Sequence, residues 1–356
     1  MDLIDIARLR LVNQQITESK FKTVKEIVGW MGAMQAQDFN MSKWAVGIRL
    51  PGVNEETINA AIDRGEIIRT HLLRPTWHLV SADDIYWMLK LTASQIKTFM
   101  KSRDKELGLT DAVFRKSNNI IEKALSGGNH LAREELVTEL ARAGIAVDDN
   151  RASHLLVRAE IDGILCSGRV KSNKQTYALL PERVKQVKTL EHDEALAELA
   201  RRYFTSRGPA TLQDFVWWSG LPVSESRKAL AMIKPDFIDE TIDNQIYWFA
   251  NSFSVSGFDR DLLYLLPAFD EFLISYKDRS ASLPFEDQKK AVSSNGIFYP
   301  IIVLNGQVIG TWKRTIRKDK VMVEIKFLGN QVIAVDDMIQ ERLSLLEYFT
   351  GKRIVV

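Results

Sequence analysis

The sequence predicts an α+β protein: three tandem winged-helix units followed by a small C-terminal β-barrel. Three observations carry that reading. Helical periodicity closed by a hairpin recurs three times, with hairpins ending near residues 80, 180 and 249. The C-terminal stretch switches to alternating strands, two of them joined by Asn305-Gly306, a pair that favours a tight hairpin because both turn residues take positive φ. Finally, 356 residues at 46% hydrophobic and 26% charged supply several ordinary cores, at roughly 150 residues per domain. The implied divisions are 1–105, 106–190, 191–255 and 256–356.

In the first unit, Val24, Ile27, Val28, Met31 and Met34 recur at helical spacing, and Asp38-Phe39-Asn40 breaks the pattern. A short helix over 54–64 ends at Gly65. Two strand-like runs, 67–73 and 76–80, flank Arg74-Pro75. Ser81 with Asp84 signals the start of a helix reaching about residue 102. The second unit has helices over about 113–125, 132–142 and 149–161. A hairpin follows, with a basic polar tip from Gly168 to Lys174. The third has a helix over 193–204 and a short helix capped by Thr211 and Asp214. A helix opened by Pro222 and two strands around Asp243-Asn244-Gln245 complete it. The chain then gives strands over 299–304, 307–312 and 321–328 and a terminal helix over 336–349, a small β-barrel or a sheet with a covering helix. The three units repeat an architecture, with no sequence self-similarity that aligns them.

Composition excludes much else. The single cysteine, Cys166, rules out an intrachain disulfide and a cysteine-rich zinc or iron–sulfur site. Met1-Asp2-Leu3-Ile4-Asp5 places acids where a secretory signal needs base. No run approaches the roughly 18 apolar residues of a membrane span. A soluble cytoplasmic protein without membrane contact is expected. The chain lacks G-x-x-x-x-G-K-[ST], G-x-G-x-x-G and G-x-S-x-G, and its five histidines show no metal-ligand spacing. Neither a cofactor nor a metal is therefore expected. Asp270-Glu271 reads as a structural pair, because adjacent side chains on regular structure point apart.

The 48 basic and 46 acidic residues leave a net charge of only +2, which by itself argues against nucleic acid. Charge is local, however. Residues 163–188 carry Arg169, Lys171, Lys174, Arg183, Lys185 and Lys188 against Glu182. Residues 313–320 carry Lys313, Arg314, Arg317, Lys318 and Lys320 against Asp319. A duplex binder needs one basic face rather than a basic whole. The alternative is a pair of solvated hairpin tips.

Gln35-Ala36-Gln37-Asp38 sits where a helical face ends. On a regular helix, residues two apart diverge by roughly 200°. The two glutamines converge only if the helix loosens there, and a converged pair could hold one water. The alternative is two surface glutamines at a helix end.

Met34-Gln35-Ala36-Gln37-Asp38 resembles the Gln-x-Gln motif of the AlkZ-type winged-helix DNA glycosylases. So does the run Arg69-Thr70-His71-Leu72-Leu73-Arg74-Pro75-Thr76-Trp77-His78-Leu79-Val80. Leu266-Pro267-Ala268-Phe269-Asp270-Glu271, Lys277-Asp278-Arg279 and Gly310-Thr311-Trp312-Lys313-Arg314 are similar to further family signatures, in order and over nearly the whole chain. The resemblance implies hydrolysis of the N-glycosidic bond of an alkylated purine in double-stranded DNA, typically at N7 of guanine, with Gln35 and Gln37 as the catalytic pair. Gln37, where one branch of the family has Asp, makes the chain resemble the Gln-x-Gln branch; the alternative is that Asp38 next door is the catalytic acid. Arg74 and His78 would approach the lesion or its phosphates, the alternative being a hairpin packed on the next helix with Trp77 and Leu79 on its core face and Thr76 and His78 on the other. Arg169, Lys171, Lys174, Lys313 and Arg314 would be further DNA contacts. A monomer is expected, since no dimerisation heptad is present. The competing reading is a non-catalytic winged-helix DNA-binding protein or transcription regulator.

Overall fold

The computed structural model describes residues 1–171, 174–250, 261–329 and 335–356. Three successive segments share one order: helix, short strand or bridge, two helices, hairpin. In the first, helix Val24–Met31 leads into strand Ala33–Gln35. Helices Phe39–Ile48 and Glu55–Asp63 and the hairpin Ile67–Leu72/Thr76–Ser81 follow. The short strand pairs antiparallel with the last one, so the latter lies central. The second segment repeats this with Asp111–Leu125, Leu131–Ala132, Arg133–Arg142, Arg151–Ile161 and Leu165–Lys171/Lys174–Leu179, in the same strand order. The third has His192–Arg207, Leu212–Ser219, Val223–Ile233 and Phe237–Ile242/Gln245–Ala250. There an Ala210–Trp248 bridge takes the place of the short strand. The expected division at 255/256 lies outside the described residues.

Among the described residues, two helices of ten or more residues stand where no element is predicted. Leu3–Asn13 is started by a reciprocal Asp2–Asp5 capping box but buries residues around most of its circumference, Arg10 included. Phe39–Ile48 is buried continuously from Met41 to Gly47. Amphipathic periodicity needs a polar face, and neither helix has a clean one. A third difference bears on function. Helix Val24–Met31 stops at Gly32, whose φ of 70° breaks helical geometry, and Ala33–Gln35 continues as a strand rather than as helix.

The C-terminal region is an open, curled five-stranded sheet, a half-barrel compatible with the expected small barrel. Its order is Arg353–Val355, Lys320–Phe327, Gln307–Ile316, Ile301–Leu304, Leu263–Leu266. Among the described residues the two end strands do not pair with one another. Leu263–Leu266 is missing from the sequence prediction because four buried residues without alternation carry no strand period.

Packing fuses these parts. Helix Ile85–Glu106 and the first hairpin share a core with the third segment through Ile68, Val80, Met88, Leu199, Phe204 and Trp218. The opposite side of the first segment shares a core with the sheet and the terminal helix Asp336–Thr350, through Trp44, Leu263, Trp312, Leu343 and Phe349. The strand Ala33–Gln35 lies between these two cores.

Candidate active site

An extended strand alternates its side chains, so residues two apart share a face. Gln35 ends the strand Ala33–Gln35 opposite His78. The Ala36 N–H then donates to the Trp77 carbonyl at 2.7 Å, continuing the ladder one residue further. Gln35 and Gln37 thus converge. The Gln35 Oε1 accepts from the Thr76 hydroxyl at 3.3 Å, and the Gln37 Oε1 accepts from the Trp77 N–H at 3.4 Å. Asp38 turns away: its carboxylate caps helix Phe39–Ile48 by accepting the Met41 N–H at 2.9 Å.

Both glutamines line one cavity of about 720 Å³. The hairpin turn Leu73–Thr76 forms one wall. Gln95, Ile96 and Phe99 of helix Ile85–Glu106 form another, with Trp217 and Gly220 beside them. Phe269, Ile274 and residues Asn295–Phe298 complete it. Among the described residues, its only ionisable lining residue is Arg74, whose guanidinium lies 5.0 Å from the Trp217 ring and whose pKa is lowered by burial. The cavity therefore combines neutral amides, an aromatic and aliphatic wall and one cation.

Charged groups behind the strand hold its backbone. The Glu271 carboxylate, 1% exposed, accepts the Gln35 N–H at 2.6 Å. Its other oxygen is paired to Arg207 at 2.8 Å and also accepts from Ser275 and from the Trp218 indole. Burial works to raise the Glu271 pKa, but Arg207 and the hydrogen bonds from Ser275 and Gln35 outweigh it and hold the group below the usual carboxylate range. Arg207 also donates to the Met31 and Ala33 carbonyls, each at 2.6 Å. On the hairpin side, Arg69 donates to the Ala36 carbonyl at 2.9 Å and to the Gln175 amide oxygen. It stacks 4.0 Å from the Trp77 ring.

The family model for "DNA glycosylase AlkZ-like" matches residues 28–342. This chain belongs to that family. It is 24% identical over 322 residues, 85% of each chain, to an "Interstrand DNA cross-link repair glycosylase" of Streptomyces sahachiroi. Its fold matches the solved structure titled Streptomyces sahachiroi DNA glycosylase AlkZ with a TM-score of 0.81 at 21% identity, covering all of both chains. It is thus an AlkZ-like DNA glycosylase, a hydrolase of N-glycosyl bonds.

The remaining predicted site residues of this AlkZ-like chain are dispersed. Arg74 lines the cavity with the glutamines. His78 does not: it is 1% exposed, its Nδ1 bonds the Thr76 carbonyl at 2.9 Å, and burial pushes its pKa down to about 3. It lies beneath the hairpin and outside the cavity lining that Arg74 shares with the glutamines. Arg169, Lys171 and Lys174 are exposed at the second hairpin's end, with the Lys171 ammonium on the His130 carbonyl at 2.8 Å. Ser172 and Asn173 of that predicted tip lie outside the described residues. Lys313 and Arg314 occupy the body of strand Gln307–Ile316, opposite Glu324 and Val323, rather than a hairpin tip. The tip itself carries Arg317 and Lys318. Arg314 is half-buried and lies near Asp38 and Glu55, with its pKa lowered by burial. Sequence reasoning missed Arg207 and the cavity wall of Phe99, Trp217 and Phe298. An arginine inside an otherwise apolar helical face was the one available signal for Arg207.

No helix among the described residues is long and apolar enough to cross a membrane. No group of three or more His, Cys, Asp or Glu side chains there could hold a metal ion. Cys166 is buried, and burial pushes its thiol up to about 12.

Proposed function

We propose that the chain hydrolyses the N-glycosidic bond of N7-alkylated purines in double-stranded DNA, with Gln35 and Gln37 positioning the attacking water. The observation that carries this reading is the meeting of both glutamines in one cavity whose lining, among the described residues, holds no carboxylate and no imidazole. N7 alkylation makes the base a cation, so it departs without being protonated and needs no general acid. The sugar passes through an oxocarbenium-like state, as in other glycoside hydrolysis. A water must then be held on one face of that sugar. Primary amides offer both an acceptor oxygen and two donor hydrogens for the purpose. Glu271 is ionised and behind the strand, so it acts through Gln35 and not on substrate.

The three segments with one shared order are read as winged helices over 1–105, 106–190 and 191–255, with the sheet region as 256–356. Arg74 serves the lesion. Arg169, Lys171, Lys174, Lys313 and Arg314 serve the phosphates, the protein acting as a cytoplasmic monomer without cofactor. The similarity to the interstrand DNA cross-link repair glycosylase of Streptomyces sahachiroi makes interstrand cross-links the second substrate to try. The cavity, at about 720 Å³, has room for more than a methyl adduct.

Base release from a duplex carrying one N7-methylguanine tests the reading. Wild type is expected to release the base under single-turnover conditions, with Gln35→Ala and Gln37→Ala each reduced. Full activity in both variants would remove the glutamines from the mechanism. Tight duplex binding with no release from N7-methylguanine or cross-linked DNA would overturn the substrate assignment.

A further inference from the structure

We propose that Glu271 and Arg69 are positioning residues that grip the glutamine segment from opposite sides and hold both amides on one face. The proposal rests on the reading of Gln35 and Gln37 as the catalytic pair. Neither side chain lines the cavity, so neither touches substrate. Both reach the backbone immediately beside the glutamines: Glu271 the Gln35 N–H at 2.6 Å, Arg69 the Ala36 carbonyl at 2.9 Å. Only the extended form of residues 35–37 makes the amides converge, since helical geometry would send them apart. The regular ladder gives out at this point. The strand ends at Gln35, and the Ala36 N–H to Trp77 bond is the last rung before Asp38 caps the next helix. The Glu271 contact falls on the last paired residue of the strand and the Arg69 contact on the residue just beyond it, where sheet pairing gives out.

Each gripping residue is itself fixed by a distant part of the chain. Glu271 is locked by Arg207, which also takes the Met31 and Ala33 carbonyls. With Gln35, that one ion pair holds every second residue from 31 to 35. Arg69 is held by the second segment: its N–H donates to the Ser167 hydroxyl at 2.8 Å, and its guanidinium donates to Gln175. A buried guanidinium in this arrangement sets the distance between the second hairpin and the glutamine strand. Catalytic geometry then depends on the docking of three sequence-distant pieces.

Single-turnover release of N7-methylguanine from a duplex tests this, read beside duplex dissociation constants and thermal unfolding. The variants are Arg69→Met, Arg69→Lys, Glu271→Gln and Gln175→Ala. Arg69→Met and Glu271→Gln are expected to slow release on the order of 10- to 100-fold, with binding within about twofold of wild type. Arg69→Lys, which keeps one donor, recovers part of the rate. Gln175 is half-buried, and its truncation leaves the core intact. Gln175→Ala is expected to slow release about threefold or more without lowering the unfolding midpoint, which keeps the test valid if the buried variants unfold. The proposal is overturned if Gln175→Ala and any folded variant at 69 or 271 release the base at the wild-type rate. It is also overturned if their losses appear equally in binding. Should Gln35→Ala itself remain fully active, the catalytic assignment fails instead, so the two failures are distinguishable.

Discussion

The carboxylates of the adjacent residues Asp270 and Glu271 point to opposite sides of the chain. Asp270 takes Arg49 in a two-pronged pair, at 2.7 and 2.8 Å, and caps the following turn through the Phe272 N–H at 2.9 Å. Glu271 turns to Arg207 and the Gln35 backbone. One dipeptide thus joins the C-terminal region to the helix Phe39–Ile48, which Arg49 caps, and to the glutamine strand.

Asp270→Asn should cost about 3–5 kcal/mol of stability, because it strands the Arg49 guanidinium in a site where that residue is 0% exposed. Denaturant unfolding is the measurement. In the double variant Asp270→Asn/Arg49→Met the combined loss should be smaller than the sum of the single losses. Strict additivity would mean that the pair is not coupled.

Gly47 faces the terminal helix. A Cβ built there would lie 2.5 and 2.8 Å from ring carbons of Phe349. Helix propensity alone favours alanine over glycine by about 1 kcal/mol, yet the clash decides the sign. Gly47→Ala is expected to destabilise by about 1–3 kcal/mol, and Phe349→Leu in the same chain to restore part of it. A more stable Gly47→Ala protein would show that the terminal helix yields freely.

The hairpins and most helices were legible in the sequence, because they rest on periodicity and turn chemistry, and a short motif singled out the two glutamines that line the cavity. What stayed hidden has a common cause. Phe39–Ile48 and Leu263–Leu266 are buried on nearly all sides, so they carry no alternation. The turn from helix to strand at Gly32 depends on Ala33 pairing with Val80, 47 positions away in the chain. The cavity wall joins Gln35 to Phe99, Trp217 and Phe298, a set that only tertiary packing can assemble. The hairpin's depth is hidden for a related reason: Thr76 and His78 share a strand face, but Thr76 meets the cavity while His78 lies beneath it.

Lys171 and Lys174 stand exposed at the end of the second hairpin. If they neutralise phosphates, each releases about one condensed counterion on binding, and log affinity falls with log salt by about 0.9 per contact. Lys171→Gln/Lys174→Gln should therefore flatten the salt dependence of duplex binding by about 2 in slope, with a stability change under about 0.5 kcal/mol. An unchanged slope would place this hairpin away from DNA.

Phe99 is 74% exposed although it lines the cavity that holds both glutamines. Its ring contributes little to the core, so Phe99→Ala should leave the unfolding midpoint nearly unchanged. A base or aromatic adduct stacked on it is worth about 1–3 kcal/mol, which is about a 5- to 150-fold loss of affinity for lesion-bearing duplex. Undamaged duplex should bind the variant as well as wild type. Equal loss on both duplexes would make Phe99 a general DNA contact.

His78 predicts the acid limb of stability. Burial holds its folded pKa at about 3 against an ordinary value of 6.5. The unfolded chain therefore binds a proton below about pH 6.5 that the folded chain refuses. Stability is unaffected at pH 7, falls as the pH drops from about 6.5, and continues to fall towards about 3. The full loss is on the order of 5 kcal/mol. Glu271 works in the same direction but lower, since a carboxylate held below its usual range loses its contribution only as it protonates. The interval between pH 6.5 and 5 thus isolates the histidine from that carboxylate. Unfolding free energies measured across it should decline more steeply for wild type than for His78→Gln, which keeps a polar side chain but does not titrate. Parallel slopes would mean that the imidazole gains a proton in the folded protein as readily as in the unfolded chain.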